Sequence, residues 1–366
     1  MLHAATMMTL LPGDPVPNWI APSDTNPRYS LQATGGRWVL LGILGSAARP
    51  DVAEALAVFT AGAADVLDGN HRAALLISSD PQDRAGARVP QSLPVYRAIW
   101  DLEGAIRQSL GEEEPAWLLL DPTQRLYLRW PLARTAQMLE DLARLPPPAQ
   151  HAGMATPAPV LVVPRVFEPG FCRMLIEQYR QSGGQSSGFM REVDGRTVGI
   201  HDSSFKVRRD HMVEDEKLQG AIRARISRRL VPEIAKAFQF KVTRLERYLV
   251  ACYSAEEGGH FSAHRDNTTK GTAHRRFAVT FNLNAEEFEG GDLTFPEFGR
   301  NAYRAPTGGA VVFSCSLLHQ ALPVTKGERY AFLPFLYDDA AAKIRDENLK
   351  FVGAAVKQAT DPPPRL

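Results

Sequence analysis

Cysteine is scarce in this chain of 366 residues: Cys172, Cys252 and Cys315 are the three present, and none precedes position 172. Thiols so few and so far apart fit buried side chains in a reducing compartment better than a disulfide framework, and no CxxC offers a dithiol redox motif. Excess charge of one sign is also missing. With 42 Lys+Arg against 41 Asp+Glu the formal net charge is +1, so no global field draws the chain to nucleic acid or to an anionic membrane. No apolar run reaches bilayer-spanning length, and the opening "MLHAATMMTLLPGDP" has neither the basic start nor the continuous apolar stretch of a secretory signal. These absences predict a cytoplasmic protein with no nucleic-acid or membrane partner, which must meet charged partners locally.

What is present is more chain than one hydrophobic core usually uses, so two domains are expected. The segment "RLPPPAQHAGMATPAPVLVVP" (144–164) is rich in proline and alanine and has no helix or strand period until "VLVV", which reads as a semi-rigid linker. The expected division is a first domain over 1–148, a linker over 149–159, a second domain over 160–340, and a C-terminal amphipathic helix with a fraying tail over 341–366. That helix would cap the sheet or meet another subunit, so a homodimer is a candidate assembly.

In the first domain, short apolar runs such as "WVLLGIL" (38–44) and "RAALLISS" (72–79) alternate with helix-like stretches, "PDVAEALAVFTAGAADVL" and "LPVYRAIWDLEGAIRQSL" among them. Such alternation argues for an α/β layer with a partly parallel sheet. "WLLLDPTQRLYLRW" looks like a hairpin whose turn starts at Asp121-Pro122. The order of these pieces, opened by "LLPGDPVPNW", resembles the redoxin branch of the thioredoxin fold over most of residues 11–145. One departure bears on function. The peroxidatic cysteine that should follow the first strand is absent, and "GSAARPDVAEAL" offers Ser46 as the nearby polar side chain. An unactivated hydroxyl cannot replace a thiolate in peroxide reduction, so no peroxidase activity is expected from this half.

Downstream, Leu218, Ile222, Ile226, Leu230, Ile234 and Phe238 recur at steps of four and predict one long helix over 213–238 with an apolar stripe. Residues 191–250 hold 14 Lys+Arg against 9 Asp+Glu, an excess most simply read as a solvated helix face. From 245 onward eight short β-like runs are separated by Gly, Pro and Asn. Their number and close spacing suggest a double-sheet jelly roll, a double-stranded β-helix with supporting helices, giving an α+β second domain.

Within that domain "HFSAHRDN" places His264 and Asp266 two apart. Side chains at i and i+2 of a strand share a face, and an imidazole beside a carboxylate makes two corners of the facial triad that leaves open positions on non-haem Fe(II). One His-x-Asp is weak by itself. His319 in the next-to-last strand and Arg329 ten residues later strengthen it, because late strands of a jelly roll return beside early ones. A buried arginine needs an anion, and a dicarboxylate cosubstrate held by the planar fork would supply it.

Five motifs then fall in order: His-x-Asp, the "LN" strand end, "EGGDLTFP", His319, and Arg329 ten positions beyond it. Residues 248–338 thereby resemble the catalytic domain of the prolyl-4-hydroxylase branch of Fe(II)/2-oxoglutarate oxygenases, with a helical lead-in from about 160. The resemblance implies that His264, Asp266 and His319 bind Fe(II), and that Arg329 pairs with the far carboxylate of 2-oxoglutarate. It makes Tyr253 a pocket hydroxyl and lets Thr325 flank the same carboxylate. His260 and Asn282 stand where the family often has tyrosine, which marks both as candidate substrate-pocket residues. Implied cofactors are Fe(II) and 2-oxoglutarate, with ascorbate a further candidate. The implied reaction uses O2 to hydroxylate a C–H bond of a peptide, a protein (prolyl residues included) or a small molecule, with release of succinate and CO2.

Blander readings stand beside these. His274, in "KGTAHRR", is expected to be a solvated loop residue, and Cys252 and Cys315 small core residues inside strands. The glycines of "EGGDLTFP" serve a tight turn and Asp292 a loop bond. The competing function is a binding or scaffold protein, in which a degenerate redoxin is fused to a jelly roll that has kept the shape without the catalysis.

Overall fold

The computed structural model describes residues 9–193, 195–353 and 366. The chain divides into two compact units, one ending at Ala158 and including Pro296–Arg300, the other formed by Pro159–Phe295 and the chain from Asn301 onward. Residues 1–8, part of the opening judged for a secretory signal, and most of the expected C-terminal tail (354–365) lie outside the described residues. Among the described residues no helix is long and apolar enough to cross a membrane.

The first unit is built on a five-stranded sheet. Its strands are β1 (Trp38–Gly45), β2 (Arg72–Ser78), β3 (Tyr96–Trp100), β4 (Ala116–Leu120) and β5 (Leu126–Pro131), and helix α1 (Pro50–Val66) connects β1 to β2. The spatial order is β3-β2-β1-β4-β5. Parallel pairing joins β1, β2 and β3, and antiparallel pairing adds β4 and β5, the mixed arrangement of a thioredoxin-like sheet. In β1 all residues but the last are buried, because both faces are covered: Trp38, Leu40 and Leu44 enter one core cluster, and Val39, Leu41 and Ile43 the other. Asp121 closes the β4–β5 hairpin by accepting bonds from Thr123 and Arg125 backbone N–H groups at 2.8 and 3.1 Å. The stretch 93–110, expected to be helical throughout, instead splits into β3 and a short helix at Ala105–Ser109. Pairing of Tyr96–Trp100 with β2 overrides the local pattern.

The second unit is a jelly roll backed by helices. Helix α2 (Pro169–Ser182) precedes the strands β6 (Lys206–Val207) and β7 (Arg209–Met212), which lead into α3 (Glu216–Arg229) and α4 (Val231–Phe238). The expected single helix is therefore two, interrupted at Leu230 ahead of Pro232 in the first turn of α4, where proline's missing N–H costs least. The apolar stripe survives the break, since Ile222, Ile226, Leu230 and Ile234 are all fully buried.

The remaining strands are β8 (Arg244–Glu246), β9 (Leu249–Ser254), β10 (His260–His264), β11 (Phe277–Asn282), β12 (Leu293–Thr294), β13 (Ala302–Tyr303), β14 (Ala310–Ser314), β15 (His319–Ala321), β16 (Val324–Lys326), β17 (Glu328–Phe332) and β18 (Phe335–Tyr337). With β7, Leu161–Val163 and Gln185–Ser186 they build a nine-stranded sheet, with β9, β17 and β11 in its middle, and with β6 a five-stranded sheet in the order β6-β10-β15-β12-β13, while β16 pairs apart from both with Glu289–Gly290. Alternation sorts the large sheet's side chains. Val250, Cys252, Tyr330, Phe332 and Phe281 join the core cluster shared with α2, α3 and α4. Leu249, Ala251 and Tyr253 turn the other way, into a cluster with Ala321 of the smaller sheet. The site lies on this inward face. Helix α5 (Asp339–Asn348) follows the last strand.

Candidate metal centre

His264 and His319 sit directly opposite one another on β10 and β15, their ring centroids 4.3 Å apart. Asp266 lies two residues past His264, in the turn beyond the end of β10 rather than in the strand. Its N–H donates to the Cys315 carbonyl at 2.9 Å, which ties that turn to the chain leaving β14. His264 Nε2 is 3.5 Å from Asp266 Oδ1, and His319 Nε2 is 3.4 Å from Oδ2. One ligand atom from each of the three residues lies within 4.8 Å of the others. Donors about 2.1 Å from one ion at right angles are about 3 Å apart, so little movement would seat an ion.

Both imidazoles are held in the same tautomer. His264 Nδ1–H donates to the Ser262 carbonyl at 2.8 Å and His319 Nδ1–H to the Leu317 carbonyl at 3.0 Å, which leaves each Nε2 lone pair facing Asp266. Burial would raise the Asp266 carboxyl, but His319, His264 and Arg275 outweigh it and hold the group well below the usual carboxylate range. Burial and the neighbouring His264 push His319 down to about 4. A carboxylate and two imidazoles whose Nε2 atoms face it form the donor set a divalent ion requires.

A β-bulge decides which neighbours share this face. Phe261 pairs with Ala321 and His264 with His319, so three steps on β10 match two on β15. Phe261 consequently stacks on His264 at 3.6 Å between centroids. His260, next to Phe261, falls on the opposite side, with Nδ1–H donating to the Gly258 carbonyl at 2.8 Å. The extra residue thus turns His260, expected as a pocket residue from its place in the motif, away from the metal ligands.

Arg329 is 3% exposed and lies opposite Tyr253 across β17 and β9. Its guanidinium carbon stands 5.1 Å from the Tyr253 ring centroid, and its Nη1 has no hydrogen-bond partner among the described residues. Burial pushes the guanidinium down from arginine's usual range. Asn282 pairs with Ala331, two residues along the same face. It donates to the Ala305 carbonyl at 2.7 Å, and its buried Oδ1 accepts nothing. The orphaned Arg329 donor on this inward face is one that an anion would satisfy, whereas the Asn282 oxygen calls for a donor. Thr325 is not brought to them: it is exposed on β16, while alternation turns Val324 inward.

Sequence reasoning missed two further clusters. Lys206 and Arg208 are both buried. Arg208 forks onto Asp210 with two 2.6 Å bonds and reaches Tyr253 Oη at 3.4 Å. Lys206 Nζ donates to Ser187 Oγ at 2.6 Å and to the Gly188 carbonyl at 2.5 Å. The local excess of basic residues was the available signal, and reading it as solvated hid these two. On the second cluster, His274 is 2% exposed rather than solvated. It donates to Glu246 at 2.6 Å, and Arg275 donates to the same carboxylate at 2.8 Å. All three cysteines are buried; Cys252 lies in β9, while Cys315 follows the end of β14 rather than sitting inside it. Asp292 makes its expected loop bond, accepting from Arg304 Nε at 2.5 Å.

Residues 248–337 match the model of the 2OG-Fe(II) oxygenase superfamily, a stretch that contains His264, Asp266, His319 and Arg329. The match falls almost wholly within the second unit. Among curated proteins, a PKHD-type hydroxylase of Synechococcus sp. is 29% identical over 125 residues, 32% of this chain and 53% of the relative. A PKHD-type hydroxylase of Pseudomonas fluorescens is 36% identical over 91 residues, 23% of this chain and 39% of the relative. This chain thus spans about half the length or less of these relatives. Among solved structures, a Pseudomonas putida prolyl-4-hydroxylase aligns with 15% identity and a TM-score of 0.37, covering 49% of this chain and 92% of that one.

Proposed function

We propose that this protein is a non-haem Fe(II)- and 2-oxoglutarate-dependent dioxygenase that hydroxylates a C–H bond of a peptide, protein or small-molecule substrate. One observation carries the reading: the three ligand atoms converge in the same barrel whose inward face holds a buried arginine without an anion. The name of the curated relatives, PKHD-type hydroxylase, supports the same reaction type.

His264 Nε2, an Asp266 oxygen and His319 Nε2 would hold the iron, and Arg329 would pair with the distal carboxylate of the keto acid. With both bound, the metal supplies oxygen activation coupled to oxidative decarboxylation, giving succinate, CO2 and a hydroxylated product. Ser262 and Leu317 carbonyls keep both histidine protons on Nδ1. Asp266 contributes charge rather than a proton, because its neighbours keep it ionised. Tyr253 lies against Arg329 and bonds Arg208, so it fixes the guanidinium plane at the pocket floor, with Asn282 completing the polar lining. Ascorbate as a further cofactor, cytoplasmic residence and a homodimer are parts of the same proposal.

The test is anaerobic addition of Fe(II) and 2-oxoglutarate to the full chain, which should produce a weak charge-transfer band in the visible. Admission of O2 should then release succinate. Asp266→Ala should abolish both, whereas an unchanged band and full turnover in that variant would remove the ligand assignment.

A further inference from the structure

Lys206 pairs with Phe261 across β6 and β10, and Phe261 pairs with Ala321 across β10 and β15. Opposed residues of an antiparallel ladder share a face, so Lys206, Phe261, His264 and His319 all project to the same side of the smaller sheet. Two residues of strand separate the Lys206–Phe261 row from the histidine row, about 7 Å. The ammonium stands 5.0 Å from the Phe261 ring centroid. Phe205 packs edge-on against Phe261 at 5.7 Å, and both rings are only partly covered.

Lys206 is 6% exposed and makes no ion pair among the described residues; two of its three donors are used, on Ser187 and Gly188. Its basic neighbours compound the imbalance. Arg208 and Arg247 share Asp210, at 2.6 and 3.9 Å, and Arg329 makes no ion pair among the described residues. Arg275 is answered by Glu246. Among the described residues around the pocket, once Arg275 is paired with Glu246 and Arg304 with Asp292, Lys206, Arg208, Arg247 and Arg329 face two acids, Asp210 and Asp266. A divalent ion and a dianionic cosubstrate would cancel each other and leave that surplus standing.

We propose that Lys206 is the specificity-determining residue of this site, binding a carboxylate of the substrate while the Phe205–Phe261 wall takes an adjoining apolar group. The inference rests on the oxygenase reading and narrows its substrate to an acid-bearing compound. Without such a partner, burial, Arg208 and Arg247 press the Lys206 ammonium well below lysine's usual range, and a bound carboxylate would return its charge. The carboxylate belongs either to a free organic acid or to an acidic side chain in a peptide.

The experiment uses the full chain loaded with Zn(II) and saturated with 2-oxoglutarate, so that Arg329 is occupied. Titration calorimetry compares cyclohexanecarboxylate with cyclohexanecarboxamide, and acetyl-glutamyl amide with acetyl-glutaminyl amide. In at least one pair the acid should bind about 10- to 100-fold tighter than its neutral partner, the range of a charge-assisted bond in a buried site. The pair that responds identifies the source. Lys206→Met should erase the preference and Lys206→Arg should restore part of it, a rescue that a purely structural tie to Ser187 would not give. Equal binding of acid and amide, no binding of either, or a preference that persists in Lys206→Met overturns the proposal. Succinate release by the Fe(II)-loaded wild type, measured on the same preparation, reports separately on the oxygenase reading.

Discussion

Arg275 and Arg329, both buried in the barrel, have opposite circumstances. Arg275 donates to Glu246, which also takes the His274 proton, and its guanidinium lies 3.9 Å from the Phe335 ring centroid. Arg329 is also buried but faces Tyr253 and, among the described residues, pairs with no carboxylate. A buried cation with a carboxylate beside it belongs to the architecture, since removing its partner strands a charge. One left without an anion stores an unmet demand that a ligand can satisfy. Burial alone does not distinguish them; the partner does.

The contrast breaks most sharply at Glu246. Glu246→Ala leaves Arg275 and His274 without their acceptor and should lower unfolding free energy by about 3–5 kcal/mol, measured by denaturant titration, with 2-oxoglutarate affinity nearly unchanged in whatever fraction stays folded. Arg329→Ala should do the reverse. Stability should hold or rise, because an unpaired buried charge is removed, while 2-oxoglutarate should bind about 30- to 150-fold more weakly, as expected from a lost charged pair of roughly 2–3 kcal/mol. Calorimetric titration beside a melting curve decides it, and a large loss of stability in Arg329→Ala would erase the distinction.

A smaller effect sharpens the same comparison through pH. Burial alone would raise the Glu246 carboxyl, but Arg275 and His274 hold it well below its ordinary value. Between the folded and unfolded values the unfolded chain binds more protons, so this contribution is complete above the unfolded carboxylate range near ~4.3 and is lost as pH falls below it. Glu246→Gln should therefore flatten the acid limb of the stability–pH curve while leaving its neutral-to-alkaline side parallel to wild type. An unaltered acid limb would show that Arg275 does not depend on this carboxylate.

The two units also differ in how legible they were. In the first, β1 and β4 announce themselves as apolar runs because both faces of their sheet are covered, yet β3 was hidden in a helix-like stretch since its pairing with β2 is not local. In the second, the order of five motifs and the family resemblance they carry singled out His264, Asp266, His319 and Arg329, because ligand chemistry restricts which residues can serve. Thr325 and His260 were misplaced for one reason: position in a motif does not say which way a side chain turns. Exposure of Thr325 and the bulge between Phe261 and His264 settled both. His274 looked like a loop residue because loops usually face water, and Glu246, 28 residues earlier, is what draws it inside.

By itself the sequence determined the order of the two units, the want of a redox thiol in the first, and the residue types able to hold a divalent ion in the second. Those properties follow from composition and local period, which need no partner. The tertiary structure alone decided that Lys206 faces the histidines, that His260 does not, and that one arginine is answered while the other waits. Each depends on strand register across distant segments, where one extra residue reverses every side chain beyond it.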